Sequence, residues 1–376
     1  MSRIYLDTHA SAPIRPEALE RFVSTSRLLG NPASLHTRGR ETHYLLESAR
    51  DLLKSTLGGQ RDDTLILTSG ATEANNLALF GQIQPGDHVL ACRFEHPCVV
   101  GPLEHLAKSG VQVEWVPVET SGQALVSSFV ERVRPDTKLA VLMTVNHETG
   151  VFQPVSELRK SLPNSVRLHV DASQSVGRYP VDFQQLGATT LSFSGHKFGA
   201  PKGVGGLLLR AGTKITPLFY GGHQQGGLRP GTESPALAEA MGIALLSATR
   251  EQESVLPYVQ NLKLTFQNLL KQNIPEVIFN GTAKASDYVL NASFPISRAE
   301  LLQIKLDLAG VDVSTGSACS SGSALPSPAL LAMNLPESQV RGAIRFSFGP
   351  HLSVEDVTRA AQLVTKAVHE MQVARL

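Results

Sequence analysis

Short apolar runs alternate with amphipathic stretches along the first two thirds of the chain. TLILT precedes SGATEANNLALFG, HVLAC follows, LAVLMTV precedes NHETG, VRLHV precedes DASQSVG, and TLSFS precedes GHK. Each run has the length of a strand and ends in a Gly-, Ser- or Asn-containing turn, so the spacing predicts βα units around a mostly parallel sheet, an α/β fold. From about Arg250 the texture changes to EQESVLPYVQNLKLTFQNLLKQ, where Val255, Leu256, Val259, Leu262, Phe266 and Leu269 recur at near-helical spacing. This helix is expected to bridge to a second lobe. The lobe would hold strands in YVLNASF and AIRFSFG, a helix at about Arg298 to Leu308, the Gly/Ser-rich segment STGSACSSGSALPSP and a final helix.

Composition narrows the class. A chain of 376 residues, 42% hydrophobic and 18% charged, can bury a large core, and at about 150 residues per domain it should form roughly two domains. Lys+Arg 34 against Asp+Glu 33 leaves a net charge of +1, so no global basic field exists to hold nucleic acid or an anionic membrane. Three cysteines, Cys92, Cys98 and Cys319, fit a reducing compartment better than a disulfide framework, and the Cys92/Cys98 spacing lacks the second ligand pair of a structural zinc knuckle. No metal is expected. The N-terminal MSRIYLDTHASAP has no apolar core of signal length, and no later stretch approaches the roughly 18 apolar residues of a membrane span, so the expected location is the cytoplasm.

Three places carry candidate chemistry. Ser69-Gly70-Ala71-Thr72-Glu73 follows a strand and opens a helix, where free backbone N–H groups and the helix dipole favour a phosphate; taken alone, such a turn is more often simple N-cap chemistry. Asp171, in VDASQ, and Lys197, in SGHK, end two further strands and would meet at the carboxyl edge of the sheet, where open α/β sheets bind ligands. A pyridoxal phosphate enzyme needs a lysine for the Schiff base, a carboxylate to keep the pyridine nitrogen protonated, and a phosphate cup, and the ordered set supplies all three. His96 reaches the same edge from an early βα loop and could stack on a cofactor ring, or be an ordinary loop histidine. Asn146 and Gln174 follow strands as cofactor ligands or as turn residues. Cys319, among small residues, is either an exposed thiol that a mobile loop could carry from a substrate to an acceptor or an incidental cysteine in a Gly/Ser linker. Arg345 offers a planar guanidinium for a substrate carboxylate, or forms a surface ion pair.

With these motifs in order the chain resembles a cysteine desulfurase of the NifS-like branch, in the class V aminotransferase group of fold type I pyridoxal phosphate enzymes. The matches are Tyr5-Leu-Asp, Gly30-Asn-Pro-Ala-Ser, Thr68-Ser-Gly-Ala-Thr-Glu, Glu95-His, Val145-Asn, His169-Val-Asp-Ala, Ser194-Gly-His-Lys, Gly231-Thr, Ser314-Thr-Gly-Ser-Ala-Cys-Ser-Ser-Gly and Ile344-Arg-Phe-Ser. The resemblance implies a large cofactor-binding domain over residues 16–250 with a mostly parallel seven-stranded sheet, and a smaller α+β domain from residues 1–15 and 251–376 that carries the cysteine loop.

It also implies roles. Lys197 would be the Schiff-base lysine, Asp171 the partner of the pyridine nitrogen and His96 the stacked residue. Asn146 and Gln174 would sit near the phenolic oxygen, and Asn146 and Arg345 would hold the substrate. Ala71, Thr72, Ser194 and His196 would line the phosphate site, joined by Thr232 from the other subunit of a homodimer. Cys319 would attack the sulfur of bound L-cysteine, leaving L-alanine and a persulfide that passes to an acceptor, an iron-sulfur scaffold or a thiolation protein. A selenocysteine or cystine lyase would use the same cofactor site without depending on Cys319, and a catalytically silent sulfur-relay scaffold would keep only the fold.

The sequence departs from the family pattern at several points. Asn146-His147 stands where two asparagines are usual, Thr8-His9 where Asn-Asn or Asn-Ala is usual, and Gln225-Gly226 where a Glu-Arg pair is usual. Arg229-Pro-Gly-Thr replaces Arg-Ser-Gly-Thr, and Gly199 occupies the place of a larger side chain. None of these removes a catalytic group.

Overall fold

The computed structural model describes residues 3–316 and 326–373. Its strands, in chain order, are β1 (Ile4–Tyr5), β2 (Thr64–Thr68), β3 (His88–Cys92), β4 (Gln112–Val116), β5 (Thr137–Val141), β6 (Arg167–Asp171), β7 (Thr190–Ser194), β8 (Gly205–Leu209), β9 (Ile278–Asn280), β10 (Val289–Ser293), β11 (Val311–Asp312) and β12 (Ala343–Ser347). A seven-stranded sheet runs β2-β8-β7-β6-β5-β3-β4, and only β8 is antiparallel to its neighbours. The runs HVLAC and TLSFS form strands buried at every position, as expected where helices cover both faces of a parallel sheet.

The antiparallel β8 closes tightly on both of its neighbours. Its Gly205 pairs with both Thr68 and Ser194, and a Cβ there would lie 2.7 Å from the Cα of Gly70 and 2.6 Å from the carbonyl oxygen of Phe193. Only glycine lets the turn after β2 settle against the end of β7. That contact brings the mouth of the helix Ala71–Gln82 beside Ser194.

The bridge helix is longer than its sequence pattern announces. It runs from Pro235 to Asn273, capped by Ser234 Oγ accepting from the Leu237 amide at 3.3 Å. Its first half buries Ala238, Met241, Ala244, Leu245 and Ala248 in the core of the large sheet. Val259, Leu262, Phe266 and Leu270 of its second half pack into a separate core. The early half is rich in alanine and apolar on several sides, so the amphipathic rhythm becomes visible only after Arg250. Helices Pro16–Ser26 and Thr37–Thr56 lie alongside it.

The second core is built on the antiparallel sheet β12-β10-β9 and the final helix Val354–Val373. The N-terminus joins this part: β1 pairs in parallel with β11, and Asp7 bridges to Ser347 at the end of β12. Residues 7–12 then cross back to the carboxyl edge of the large sheet, where the amide of Ala12 donates to the carbonyl of His196 at 3.0 Å. No described helix is long and apolar enough to cross a membrane.

Candidate active site

The carboxyl ends of β2, β6 and β7 and the residues leading into the helix Pro97–Lys108 open onto one cleft of about 510 Å³. Ala71, Thr72, His96, Asp171, Gln174, Ser194, His196 and Lys197 all line it, so the structure brings eight of the sequence-predicted site residues together. Ser11, Cys98, Met143, Ser173, His147 and Lys202 share the wall.

Asp171 is fixed from both sides. Its Oδ1 accepts the backbone N–H of Ser173 at 2.9 Å, and its Oδ2 accepts Asn75 Nδ2 at 2.8 Å. Asn75 comes from the helix Ala71–Gln82, and its Oδ1 accepts His169 Nε2 at 2.8 Å and also the hydroxyl of Ser192. The amide therefore ties β6 and β7 to that helix. Sequence reasoning missed Asn75; its place one turn inside the helix that opens the candidate phosphate site was the signal available.

Lys197 stands on the short turn Gly195–Lys197 after β7, and its Nζ donates to the carbonyls of His9 and, at 3.1 Å, Ala10. His96 caps the helix Pro97–Lys108, its Nδ1 accepting the Cys98 amide at 3.2 Å. Burial lowers this imidazole to about 4, with the nearby cations Lys197 and Arg345 acting in the same direction and Asp171 opposing them. The ring of His147 meets that of His96 edge-on at 5.0 Å. His196 is also lowered to about 4, by burial first and then by Lys197, Lys202 and Arg178, and its Nδ1 lies 3.3 Å from Ser11 Oγ. A neutral wall of imidazoles among cations is a setting for anionic ligands.

The residues suit pyridoxal phosphate on observations internal to the cleft. Ser173 Oγ is buried in its wall without a hydrogen-bond partner, and the first amides of the helix Ala71–Gln82 have no helical acceptors. Gly70 adopts φ 155°, and a Cβ there would come 3.4 Å from Ser194 Oγ, inside the space a phosphate would share with that hydroxyl. The glycine turn, a carboxylate behind the cleft and a lysine across it form the donor set such a group requires.

Four expectations meet different surroundings. Asn146 is absent from the cleft lining: its Oδ1 accepts the amides of Glu148 and Thr149 at 2.9 Å each, and its Nδ2 donates to Phe94 O at 3.1 Å. This Asx turn occupies the carboxamide oxygen, while one N–H of Nδ2 is left beyond the bond to Phe94, between the cleft-lining residues Val145 and His147. Arg345 is neither on the surface nor on the cleft wall. It is buried, with Nη2 donating to Asp7 Oδ1 at 2.9 Å and Nη1 to the carbonyl of His147 at 3.1 Å. Thr232 is exposed and away from the cleft of this chain. Gln174 lines the cleft, but its amide is engaged by His9 O at 3.2 Å and Arg178 Nη1 at 2.6 Å. Cys319 lies outside the described residues.

The unusual Gln225 has a clear structural role. Held at φ 53°, it accepts the Leu67 amide at 2.6 Å and donates to the Leu67 carbonyl at 2.9 Å, closing the free edge of β2. Arg229 fastens the same loop to Glu73, Nε to Oε1 at 2.8 Å.

Comparison with known proteins agrees with this geometry. The family model described as aminotransferase class-V matches residues 4–360. The cysteine desulfurase IscS of Dictyoglomus turgidum is 36% identical over 376 residues, covering 98% of this chain and 95% of that protein. The mitochondrial cysteine desulfurase of Arabidopsis thaliana is 34% identical, over 98% of this chain and 83% of its own. Among solved structures, a NifS-like protein superposes with a TM-score of 0.90 at 28% identity, covering 98% of this chain and 100% of that one. DndA from Streptomyces lividans superposes with a TM-score of 0.76 at 34% identity, covering 90% and 97%. The chain belongs to the class V aminotransferase family, whose members include pyridoxal phosphate enzymes. Within it, the chain is one of the NifS-like cysteine desulfurases.

Proposed function

We propose that this protein takes sulfur from L-cysteine with pyridoxal phosphate, forming L-alanine and a persulfide on Cys319 that is passed to an acceptor protein. The observation that carries this reading is the convergence of Lys197, Asp171, His96 and the Ala71 helix mouth on one cleft, in a chain similar over 98% of its length to cysteine desulfurases. When bound, pyridoxal phosphate supplies an electron sink that labilises bonds around the substrate Cα.

The protein's own groups do the rest. Lys197 would hold the cofactor, be displaced by the substrate amine, and then take the proton from Cα at Nζ. Asp171, anchored by Asn75 and Ser173, would keep the ring nitrogen protonated. Ala71, Thr72, Ser194 and His196 would hold the phosphate, and His96 would cover the ring. Arg345 would bind the substrate carboxylate by exchanging its contact with Asp7. Cys319 must react as a thiolate, which a positive environment favours.

The finer organisation belongs to the same proposal. Residues 16–250 would form the cofactor domain and residues 1–15 and 251–376 a smaller domain, a division supported by the second core and the pairing of β1 with β11, while Ala329, Leu330, Met333, Val340 and Ala343 pack into the core of the large sheet. The working unit is a homodimer in the cytoplasm, supported by the exposed Thr232 and by the large exposed side chains Leu29, Leu35, Tyr44 and Tyr220. The sulfur acceptor would be an iron-sulfur scaffold or a thiolation protein.

Intact mass spectrometry after brief exposure to L-cysteine without reductant tests the core of the reading. The expected result is a sulfur-mass adduct on Cys319 with alanine formed alongside, both lost in Cys319→Ala. Full alanine production by Cys319→Ala would move the assignment to a lyase. A protein that never takes up the yellow cofactor absorbance would instead be a silent scaffold. A monomer by light scattering would overturn the dimer.

A further inference from the structure

Cys98 stands in the cleft wall and has no part in the chemistry above. Its surroundings constrain the hydrogen-bond directions around it. A carboxylate only accepts, so the atom of Asn75 facing Asp171 Oδ2 at 2.8 Å is the amide nitrogen, and the atom facing Ser192 and His169 is the oxygen. The same Nδ2 donates to Cys98 Sγ at 3.0 Å. The sulfur is thus an acceptor toward Asn75; the Thr72 hydroxyl can donate to it as well, and its own proton is available to His96 Nδ1 at 2.9 Å.

The imidazole is determined by the same logic. The backbone N–H of Cys98 donates to His96 Nδ1 at 3.2 Å, so this nitrogen carries the lone pair and the proton of the neutral ring is on Nε2. The position at the N-terminus of the helix Pro97–Lys108 disfavours a charged ring further. Burial, and then the charge of Asp171, push the Cys98 thiol well above its ordinary range, so it stays S–H and keeps its donor. Asn75, Thr72 and His96 face this sulfur, with the carboxyls of Asp171 and Glu95 acting on it through space. The result is one directed chain: Asn75 donates to Asp171 and to Cys98, and Cys98 donates to His96.

We infer that Cys98 is a positioning residue for the desulfurase reaction: its thiol, oriented by Asn75, holds His96 as an Nε2–H donor and locks the ring's orientation to that of Asp171. His96 then meets the bound amino acid as a hydrogen-bond donor rather than as a base. The inference deepens the proposed function and rests on it for the identity of the reaction, though not for the state of the ring.

The test uses the cofactor-loaded enzyme with 15N-labelled histidine, as wild type, Cys98→Ser and Cys98→Ala. In wild type the His96 signals, assigned by their loss in His96→Gln, should show protonated Nε2 and unprotonated Nδ1. Cys98→Ser, which keeps a hydroxyl donor, should preserve that pattern. In Cys98→Ala the Nδ1 resonance should move as one of its two donors is lost, and kcat should fall about tenfold with KM little changed, as for loss of an orienting contact felt in the transition state. Near-wild-type kcat in Cys98→Ser would complete the expected result. A wild-type ring protonated on Nδ1 would overturn the inference. So would equal losses in the serine and alanine variants, or an alanine variant unchanged in both signal and kcat. Failure of the wild type to form alanine from cysteine would overturn the proposed reaction, while the ring signals would still decide whether Cys98 orients His96.

Discussion

Asn75 Nδ2 lies 2.8 Å from Asp171 Oδ2, which makes a helix residue the immediate support of the carboxylate at the back of the cleft. The same amide accepts from His169 and Ser192, so one buried side chain serves two neighbouring strands. Asn75→Leu would keep the volume and leave Asp171, His169 and Ser192 each short of a partner. At about 1–3 kcal/mol for each buried polar group left unsatisfied, the variant should be strongly destabilised. It should also retain less cofactor, because Asp171 is no longer held in place. Thermal unfolding and the yellow absorbance after gel filtration check the two effects separately. Unchanged values for both would contradict the role assigned to Asn75.

Glu95 gives the protein a stability term that declines toward alkaline pH. Burial raises this carboxyl from 4.5 to about 8, with the Met143 amide, 2.7 Å from Oε1, opposing the shift and the charge of Asp171 reinforcing it. Between those values the folded chain holds a proton that the unfolded chain has released. The contribution of Glu95 is therefore complete below about 4.5 and is lost progressively as pH rises to about 8. Glu95→Gln keeps the acceptor for Met143 and cannot ionise. Its melting temperature should match wild type near pH 5 and exceed it at about pH 9. A constant difference across that range would sink this account.

The histidines act in the opposite direction. His96, His169 and His196 are each lowered from 6.5 to about 4, with burial the leading cause in all three. The unfolded chain then binds more protons across that interval. Their contribution is complete above 6.5 and is lost as pH falls through about 4. His9 and His147, lowered further, and His88 and His351 act in the same direction, so melting temperature should drop steeply below pH 6.5, and His196→Asn should flatten the slope by removing one contributor. Denaturation curves at constant ionic strength are the measurement; an unaltered slope in the variant would count against His196 as a contributor.

The sheet was legible in the sequence wherever one strand carried an uninterrupted apolar run, as TLILT, HVLAC and TLSFS do. Strand β4, QVEWV, is only partly buried at the sheet edge, and β8, GGLLL, begins with glycines that read as a turn. Its first glycine serves the close approach of Gly205 to Gly70, a tertiary contact with no local signature. At the site, residues at strand ends were legible because the carboxyl edge of a parallel sheet collects them. Asn75 and Cys98 were not, because each acts through another side chain and neither sits at a strand end. The turn at Asn146 was not legible for a related reason: a short polar residue after a strand can face a ligand or close its own turn, and only the backbone of residues 146–149 shows that its Oδ1 does the second.

Arg345 and Asp7 form an ion pair at 2.9 Å whose two halves should separate in kinetics. Arg345 is buried, and its Nη1 also supports the backbone of His147 on the cleft wall. Burial raises the Asp7 carboxyl, while Arg345 pulls it back down, so Asp7 is a ligand that the guanidinium can exchange for a substrate carboxylate. Asp7→Asn leaves the buried Arg345 without its counterion, at a cost of up to about 3–5 kcal/mol, while Arg345→Lys keeps the charge and loses the fork to Asp7 and the His147 carbonyl, so both should lower the melting temperature, the first more than the second. Their effects on KM for L-cysteine should differ. Lysine cannot reproduce the planar fork, so Arg345→Lys should raise KM about tenfold or more. Asp7→Asn removes a competing anion and should leave KM equal to or below that of wild type. Steady-state alanine formation at several cysteine concentrations reads both. An equal rise in KM for the two variants would mean that Arg345 supports the fold of the cleft without binding the substrate.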